Sequence, residues 1–259
     1  MNRRFDLIVF DWDGTLFDST ALIVRCIQAA CRDIGAAVPS DVDAAYVIGL
    51  GLADALRHAV PGLPTERYPE LGLRYRHHYF ASQHELSMFP GTLDMLQALK
   101  ARHHWLAVAT GKGRRGLDDA LAHSQLKGLF DSTRTADETA SKPDPTMLLE
   151  LMRELGAEPA RTLMVGDTTH DLLLARNAGT PSVAVSFGAH EHEAFAEFGP
   201  LHVAHSTREL HDWLLAKNAG TPRVAVSFGA HEHEAFAEFG PLHVAHSTRE
   251  LHAWLLRNA

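Results

Sequence analysis

A 41-residue segment occurs twice in a row near the carboxyl end of the chain, and this repeat restricts the folds that the chain can adopt. A solenoid needs about three or more repeats that run through the whole fold, so two near-identical copies indicate a segmental duplication. Only one copy can fill a given place in a sheet, and residues 1–217 are therefore expected to form the main fold. The copies, residues 177–217 and 218–258, differ at four aligned pairs: Ser182 and Arg223, Asp212 and Ala253, Ala216 and Arg257, and Lys217 and Asn258.

The first copy is expected to occupy that place, because it follows residues 171–176 directly and needs no long connection. Residues 218–259 would then be an appended strand–helix segment without a place in the original fold. We expect this segment to be ordered and to provide the surface through which the chain forms a homo-oligomer.

Strand-like apolar runs alternate with segments of helical periodicity in the main part of the chain. The predicted strands are Leu7–Phe10, Trp105–Thr110, Thr162–Val165, Val183–Phe187 and Leu201–Ala204. The predicted helices between them are Thr92–Ala101, Gly116–His123, Thr146–Leu155 and Asp171–Asn177. This alternation, with its short connections, predicts an α/β fold with a doubly wound parallel sheet.

Residues 17–88 interrupt this alternation, because they contain several helical segments and no convincing strand. The helices predicted there are Thr20–Asp33, Leu52–Val60 and Glu66–Gln83. We therefore expect an inserted helical cap domain at 17–88, a core domain formed by 1–16 and 89–217, and the appended copy at 218–259.

Composition and charge exclude several classes of partner. The chain is 46% hydrophobic and has a formal net charge of −8, so it can form a packed core but lacks the basic surface of a general nucleic-acid-binding protein. The apolar run in MNRRFDLIVF is far too short for a signal peptide or a membrane span. Two cysteines, Cys26 and Cys31, are too few for a disulfide framework. We expect a cytoplasmic protein with no nucleic-acid and no membrane partner.

Two aspartates that follow the first predicted strand form the first candidate site. Asp11 and Asp13 are two positions apart, and the alternation of a strand places both side chains on one side. Ligands of open α/β sheets bind beyond the carboxyl ends of the strands, where these carboxylates would lie. Their mutual repulsion is relieved most economically by Mg²⁺, which prefers oxygen ligands. An Asp-rich turn without a ligand is the alternative.

Three further segments lie at the same predicted edge of the sheet. Thr110 and Gly111 end the second strand, where a hydroxyl group and free backbone N–H groups would bind phosphate oxygens; an ordinary threonine at the end of a strand is the alternative. Lys142 precedes a proline-rich turn that would direct its ammonium group toward an anionic site, although a lone surface lysine is the commoner case. Asp167 ends a later strand, and Asp171 lies in the first turn of the next helix, where helix capping is the alternative role.

The four segments, in this order, resemble the motifs of the haloacid dehalogenase superfamily of phosphotransferases and, within it, the phosphoglycolate phosphatase-like group. The resemblance covers residues 1 to about 217 and rests on DWDGTLFDS, VATGK, SKPDP and GDTTHD. It implies a Rossmann-like core, and it identifies the helical insertion as the cap that those enzymes carry. It also implies a phosphatase, because dehalogenase members lack the second aspartate, here Asp13.

The resemblance implies a role for each acidic residue of the motifs. Asp11 would attack the phosphorus atom and form an aspartyl-phosphate, while Asp13 would act first as general acid and then as general base. Mg²⁺ would be held by Asp11, by the backbone carbonyl of Asp13 and by Asp167. Asp171 would orient the water shell of the metal ion.

Binding of the substrate is divided between the motifs and the cap. In the same scheme, the phosphoryl oxygens are bound by Thr110, Gly111 and Lys142. The leaving group would then be selected by the cap and by the loop 112–115. Arg25 and residues 75–78 would offer a cation to a substrate carboxylate, with a solvated basic face as the alternative. Asp18 and Ser19 are either helix caps or substrate contacts.

The expected function is Mg²⁺-dependent hydrolysis of a small phosphorylated metabolite, a phosphomonoester such as phosphoglycolate. A sugar-phosphate mutase would keep the same core but return the phosphoryl group to the substrate. A phospho-acceptor module would carry the phosphoryl group on Asp11 without turnover, but Asp13 as a nearby base argues against it. A non-catalytic assembly protein produced by the duplication is a further alternative.

The two copies of the repeat carry none of the candidate catalytic residues, but each contains a histidine-rich segment. Residues 190–193 read HEHE, and the same letters recur at 231–234. This spacing differs from the HExxH pattern that places two histidines on one helix turn, so a metal site is not expected. The segment is predicted to be an exposed polar loop.

Overall fold

The computed structural model describes residues 4–123, 125–218, 224–226, 243–245, 247–250 and 252. The chain divides into two compact units, one being Phe5–Leu215 and the other comprising Met1–Arg4 and Ala216–Ala259. Each helix in the described part of the chain is too short or too polar to traverse a lipid bilayer.

A six-stranded, fully parallel sheet lies at the centre of the unit Phe5–Leu215. Its strands are β1 (Leu7–Phe10), β2 (Trp105–Thr110), β3 (Ser132–Thr135), β4 (Thr162–Gly166), β5 (Ser182–Val185) and β6 (Val203–Ala204). They lie in the order β3-β2-β1-β4-β5-β6, so the chain starts in the middle of the sheet and adds strands on both sides. The switch of direction beside β1 creates a crevice at the carboxyl ends of the central strands.

The first four α-helices that follow β1 in the chain form the helical cap. They are α1 (Thr20–Asp33), α2 (Asp41–Tyr46), α3 (Leu52–Ala59) and α4 (Tyr68–Ser82). The cap has a hydrophobic core of its own, in which Ile27 of α1, Leu56 of α3 and Leu71 of α4 are buried. A helical insertion after the first strand is therefore present, as the sequence predicts.

Five further helices cover the two faces of the sheet. They are α5 (Thr92–Ala101), α6 (Arg114–His123), α7 (Thr146–Leu155), α8 (Thr169–Asn177) and α9 (Thr207–Asn218). Ile8 and Phe10 of β1 pack in one buried cluster with side chains of α5, α6 and α9. Leu7 and Val9 pack on the opposite face with side chains of α7 and α8. Alternate residues of one strand thus face two layers of helices, which confirms the predicted doubly wound α/β fold.

The first copy of the repeat supplies the edge of this sheet. Within it, β5 pairs with β4, and β6 pairs with β5 through Ala184 and Val203. In the second unit, the strands β7 (Val224–Val226) and β8 (His243–Ala245) also pair in parallel, with Ala225 opposite Val244. These two residues are the counterparts of Ala184 and Val203, so the second copy reproduces the strand register of the first. The HEHE segment at 231–234 lies outside the described residues.

Some elements differ from the sequence-based prediction. The pattern missed β3, whose sequence STRT has no apolar run because it is a partly exposed edge strand; Arg134 on it forms ion pairs with Glu150 and Glu154 of α7. It also missed the short helix α2, which begins where the Ser40 hydroxyl accepts a hydrogen bond from the backbone N–H of Asp43. The strand predicted for residues 183–187 ends at Val185, because the chain then turns toward the carboxyl end of β4.

Candidate active site

Asp11 and Asp13 lie just beyond the carboxyl end of β1. Trp12 between them is buried in the core, where its ring stacks on Phe17 with the ring centroids 4.7 Å apart. Because successive side chains of an extended chain alternate, burial of Trp12 turns Asp11 and Asp13 to the other side. Both aspartates line a cavity of about 670 Å³, which is bounded by cap residues and by the loops that follow β1 and β2.

The structure brings Asp11, Lys142, Asp167 and Asp171 together in one buried cluster, although they come from three separate segments. A carboxylate oxygen of each aspartate lies within 4.8 Å of those of the other two. The Nζ atom of Lys142 donates hydrogen bonds to Oδ1 of Asp11 and to Oδ1 of Asp171, each at 2.6 Å. The predicted site residues of the first, third and fourth motifs therefore meet at one point.

Asp167 and Asp171 are held in place by groups from the surrounding loops. The hydroxyl of Thr15 donates to Oδ1 of Asp167 at 2.8 Å, and the backbone N–H of Ala189 donates to Oδ2 at 2.7 Å. Oδ2 of Asp171 accepts hydrogen bonds from the N–H and the hydroxyl of Thr168 in a capping box at the start of α8. Asp171 is thus a helix-capping residue and a partner of the site lysine at the same time.

Two glycines leave the space that Asp167 occupies. A Cβ atom at Gly14 would lie 2.2 Å from Oδ2 of Asp167, and a Cβ atom at Gly188 would lie 2.1 Å from the same oxygen. Gly14 also has a φ of 85°, in the left-handed region that favours glycine. Gly188 and Ala189 belong to the first copy of the repeat. This copy therefore supports the site directly, which the sequence did not indicate.

Burial raises the pKa values of two carboxyl groups of the cluster, Asp11 and Asp167, in a site where one ammonium group faces three carboxylates. Burial raises the pKa of Asp11 well above its usual range. Burial, together with the negative charge of Asp171, raises the pKa of Asp167 to about 7. Burial alone would lower the pKa of Lys142, but the charges of Asp11 and Asp171 outweigh it and raise that pKa, so the lysine stays charged.

The cluster has the properties of a divalent-metal site. Oδ2 of Asp11 is buried and has no hydrogen-bond partner among the described residues, which costs free energy unless a cation or a ligand compensates. Carboxylate oxygens are the donors that Mg²⁺ prefers, and a cation there would offset the excess negative charge. Within the described residues, Asp13 does not join this group of three aspartates, so its predicted metal role rests on its backbone carbonyl oxygen.

The carboxylate of Asp13 is held by two groups from different parts of the chain. The hydroxyl of Ser19 donates to Oδ1 of Asp13 at 2.7 Å. The Nζ atom of Lys112 lies 3.0 Å from Oδ2 of Asp13 and donates to the hydroxyl oxygen of Tyr79 at 2.6 Å. The Ser19 side chain makes no capping hydrogen bond to α1 in the described structure, so its contact with Asp13 is the role that the geometry supports.

Thr110 and Gly111 line the cavity beside the aspartates. The buried hydroxyl of Thr110 accepts a hydrogen bond from the backbone N–H of Lys112 at 3.2 Å. A Cβ atom at Gly111 would lie 2.3 Å from the carbonyl oxygen of Leu50 and 2.6 Å from that of Gly49. Gly111 therefore allows the cap backbone to approach the loop after β2. This role is separate from the predicted binding of phosphate oxygens.

The basic groups considered for a substrate carboxylate differ in their surroundings. Arg25 forms an ion pair with Glu85 at 3.1 Å, and His78 lies 2.8 Å from a carboxylate oxygen of Asp33. Arg76 lines the cavity. Of these three groups, Arg76 is the one that the structure places beside the site.

His190 is buried, so the expectation of an exposed polar loop is wrong at this position. Its Nδ1 atom accepts a hydrogen bond from the backbone N–H of Thr169 at 3.1 Å, so Nε2 carries the proton and donates to the carbonyl oxygen of Tyr46 at 2.9 Å. Nε2 of His170 lies 2.8 Å from the same carbonyl oxygen, at the end of α2. The two imidazole rings thus join the cap to the core, and nothing in the spacing of HEHE indicates this contact.

Comparisons with known proteins agree with this geometry. The model of the haloacid dehalogenase-like hydrolase family matches residues 8–185. The probable phosphatase IndB of Dickeya dadantii is 37% identical over 190 residues, covering 71% of this chain and 82% of the relative. The phosphoglycolate phosphatase of Aliivibrio fischeri is 30% identical over 209 residues, covering 77% of this chain and 92% of the relative. The crystal structure of a predicted phosphoglycolate phosphatase from Haemophilus somnus is similar with a TM-score of 0.73 and 25% identity, covering 81% of this chain and 98% of that one. This chain belongs to the haloacid dehalogenase-like hydrolase family.

Proposed function

We propose that the protein is a Mg²⁺-dependent phosphatase that hydrolyses a small phosphomonoester through an aspartyl-phosphate on Asp11, with phosphoglycolate as the first candidate substrate. The observation that carries this proposal is the environment of Asp11. One of its oxygens is paired with Lys142, the other is buried without a partner among the described residues, and the side chain lines the cavity beside Asp13. The names of the two phosphatase relatives support the same activity.

In the first step, a carboxylate oxygen of Asp11 forms a bond to the phosphorus atom of the substrate. The bond between phosphorus and the leaving oxygen breaks, and that oxygen takes a proton from the carboxyl group of Asp13. In the second step, Asp13 removes a proton from a water molecule that attacks the phosphorus of the aspartyl-phosphate. The phosphorus–oxygen bond to Asp11 then breaks, which releases orthophosphate, restores the carboxylate of Asp11 and leaves Asp13 protonated for the next turnover.

Mg²⁺ would be held by Asp11, Asp167 and the backbone carbonyl of Asp13, with Asp171 beside its water shell. When bound, the ion would offset the repulsion between the Asp11 carboxylate and the phosphate and would stabilise the charge that develops on the phosphoryl oxygens. The raised pKa values of Asp11 and Asp167 support this assignment, because burial disfavours the charged forms of both groups and a bound cation would offset that effect.

Thr110, Gly111 and Lys142 are proposed to bind the phosphoryl oxygens. Thr110 and Gly111 line the same cavity as Asp11. The ammonium group of Lys142 is already adjacent to Asp11 and would neutralise negative charge on the phosphorylated residue.

Phosphate release from a panel of phosphomonoesters tests the proposal. The panel contains phosphoglycolate, sugar phosphates, nucleotides and pyrophosphate, each with Mg²⁺ and with a chelator, and Asp11→Asn is the control variant. Metal-dependent release that is lost in Asp11→Asn is the expected result. Phosphoryl transfer to a second hydroxyl without net release would favour a mutase, and a folded protein inactive on every substrate would favour a non-catalytic role.

The organisation of the chain around this activity is also proposed. We assign residues 17–88 to the cap, residues 1–16 and 89–217 to the catalytic core, and residues 218–259 to an appendage that mediates homo-oligomer formation. A cytoplasmic location is proposed because Cys26 and Cys31 are both buried free thiols, as is usual in a reducing compartment.

A further inference from the structure

We propose that Lys112 is a positioning residue, held by Tyr79 of the cap, that orients the carboxyl group of Asp13 for proton transfer to the leaving group. This inference rests on the proposed phosphatase function, because it assigns a cause to the placement of its general acid. The rate of leaving-group departure would then depend also on Lys112 in the loop after β2 and on Tyr79 in the cap helix α4.

The contacts of Lys112 carry the proposal. Its Nζ atom is 3.0 Å from Oδ2 of Asp13 and 2.6 Å from the hydroxyl oxygen of Tyr79, and it lies 4.6 Å from the centre of the Tyr79 ring. The Lys112 side chain is only 10% exposed. An ammonium group buried to this extent needs close partners, and the two that it has here come from the core and from the cap.

Asp13 is therefore held at both oxygens. Ser19 donates to Oδ1 from the start of α1, and Lys112 approaches Oδ2 from the loop after β2. Proton transfer requires a heavy-atom distance of roughly 2.6–3.2 Å and a defined direction, so a carboxyl group that rotates freely is a poor acid. Two contacts on opposite oxygens fix the plane of the carboxyl group, and removing one of them frees it.

The position of Lys112 depends in turn on the cap. The preceding residue, Gly111, is packed so closely against the cap that a Cβ atom there would meet the carbonyl oxygen of Leu50 at 2.3 Å. Tyr79 holds the end of the lysine from α4. The ammonium group can therefore reach Asp13 in this way only while the cap lies over the loop. Asp13 would then be correctly oriented when the cap covers the cavity that holds the leaving group.

The rate with two kinds of leaving group separates positioning from a purely structural role. An alkyl phosphate needs protonation of its leaving oxygen, whereas p-nitrophenyl phosphate has a leaving group that departs as a stable anion. We expect Lys112→Met to lower kcat/KM for the alkyl phosphate at least about tenfold more than for p-nitrophenyl phosphate, because kcat/KM includes the steps up to leaving-group departure. Lys112→Arg should restore part of the alkyl phosphate rate.

Tyr79→Phe tests the cap side of the contact by removing one hydroxyl group. It should also lower kcat/KM more for the alkyl phosphate than for p-nitrophenyl phosphate, but by a smaller factor than Lys112→Met does. In the Lys112→Met variant, the additional Tyr79→Phe change should not lower kcat/KM any further. Tyr68→Phe is the matched control, because Tyr68 is also on α4 but its hydroxyl donates to the carbonyl oxygen of Val60 within the cap. This control should leave both substrates unaffected.

Three results would overturn the inference. Equal losses on both substrates would show a general structural role for Lys112. A loss confined to KM of substrates that carry a carboxylate would show that Lys112 binds the leaving group. Independent effects of the Lys112 and Tyr79 variants would remove the link to the cap. A wild-type protein that releases no phosphate from either substrate would instead remove the proposed phosphatase function, and this positioning role with it.

Discussion

The ammonium nitrogen of Lys142 lies 2.6 Å from Oδ1 of Asp11, although the two residues are 131 positions apart in the chain. This contact holds one oxygen of the Asp11 carboxylate and leaves Oδ2 without a hydrogen-bond partner in the described part of the chain. A carboxylate that is fixed at one oxygen and has no hydrogen-bond partner at the other is preorganised to use that second oxygen. The parallel sheet produces this contact, because it brings the carboxyl ends of distant strands to one edge.

Replacement of Lys142 by methionine should affect stability as well as activity. The variant leaves the buried carboxylates of Asp11 and Asp171 without their shared cation, so we expect the free energy of unfolding to fall by about 3–5 kcal/mol. Lys100→Met is the control, because Lys100 pairs with Asp131 at a partly exposed site. This variant should lower the free energy of unfolding by about 1 kcal/mol or less. Urea denaturation measures both. Equal losses in the two variants would contradict the account of the cluster.

Asp167 should make the metal-free protein less stable as the pH rises. Its pKa is raised to about 7 from the ordinary value of 3.8, so the folded state binds a proton more strongly than the unfolded chain. Stability therefore falls between about pH 4 and pH 7, by at most about 4 kcal/mol. Because Asn cannot ionise, Asp167→Asn should gain stability relative to the wild type across this range.

Thermal unfolding of both proteins in chelator, from pH 4 to pH 8, measures this difference. At pH 8, Mg²⁺ should raise the Tm of the wild type and leave that of Asp167→Asn nearly unchanged, since the variant lacks one metal ligand. Parallel pH profiles, or equal stabilisation of both proteins by Mg²⁺, would be inconsistent with a metal site at Asp167.

Gly111→Ala should disturb the contact between the cap and the loop after β2. The added Cβ atom would lie 2.3 Å from the carbonyl oxygen of Leu50, so the backbone has to move, at an expected cost of about 1–3 kcal/mol. Activity should fall with it. Gly116→Ala is the matched control, because no described heavy atom lies within 4 Å of a Cβ there and alanine favours the helix α6. A Gly111→Ala variant with unchanged stability and unchanged activity would contradict the close approach of the cap.

One of the four differences between the repeat copies should determine which copy joins the sheet. Ser182 is buried in β5 opposite Met164, and its counterpart in the second copy is Arg223. Ser182→Arg would bury an unpaired guanidinium group and should lower the free energy of unfolding by several kcal/mol, about 3 or more. Asp212→Ala, which introduces the second copy's residue at an exposed position, should change it by less than about 0.5 kcal/mol.

Removal of residues 218–259 provides the complementary test. All residues of the candidate site lie in the unit Phe5–Leu215, so the shortened chain should keep its kcat/KM. Size-exclusion chromatography of the two forms would show whether the appendage mediates self-association. A large loss of activity on deletion would mean that the second copy takes part in forming the site.

The sequence predicted the sheet and the aspartate cluster well because both depend on local patterns. β1, β2 and β4 are apolar runs, and their carboxyl ends lead directly into DWDGT, TGK and GDTTHD. Strand alternation and the geometry of parallel sheets are sufficient to bring such ends together. The polar edge strand β3 was missed because its stability comes from pairing with β2 and from ion pairs with α7.

The contacts between cap and core could not be predicted in the same way. Lys112 with Tyr79, and His190 with the carbonyl oxygen of Tyr46, join residues that are far apart in the chain and lie on elements of different periodicity. No local pattern encodes how the cap packs on the core, because that packing is a tertiary arrangement. The support of Asp167 by the backbone of Ala189 is hidden for the same reason, since any residue type has an N–H group to donate.

In the proposed mechanism, Asp11 carries the phosphoryl group during turnover. Rapid acid quench of a single turnover with a hydrolysed substrate, followed by mass spectrometry of the peptide that contains Asp11, detects this intermediate. We predict a phosphoryl group on Asp11 that appears before free phosphate and then decays, and that is absent in Asp11→Asn. Phosphate release without such an adduct, or an adduct on another residue, would contradict the account.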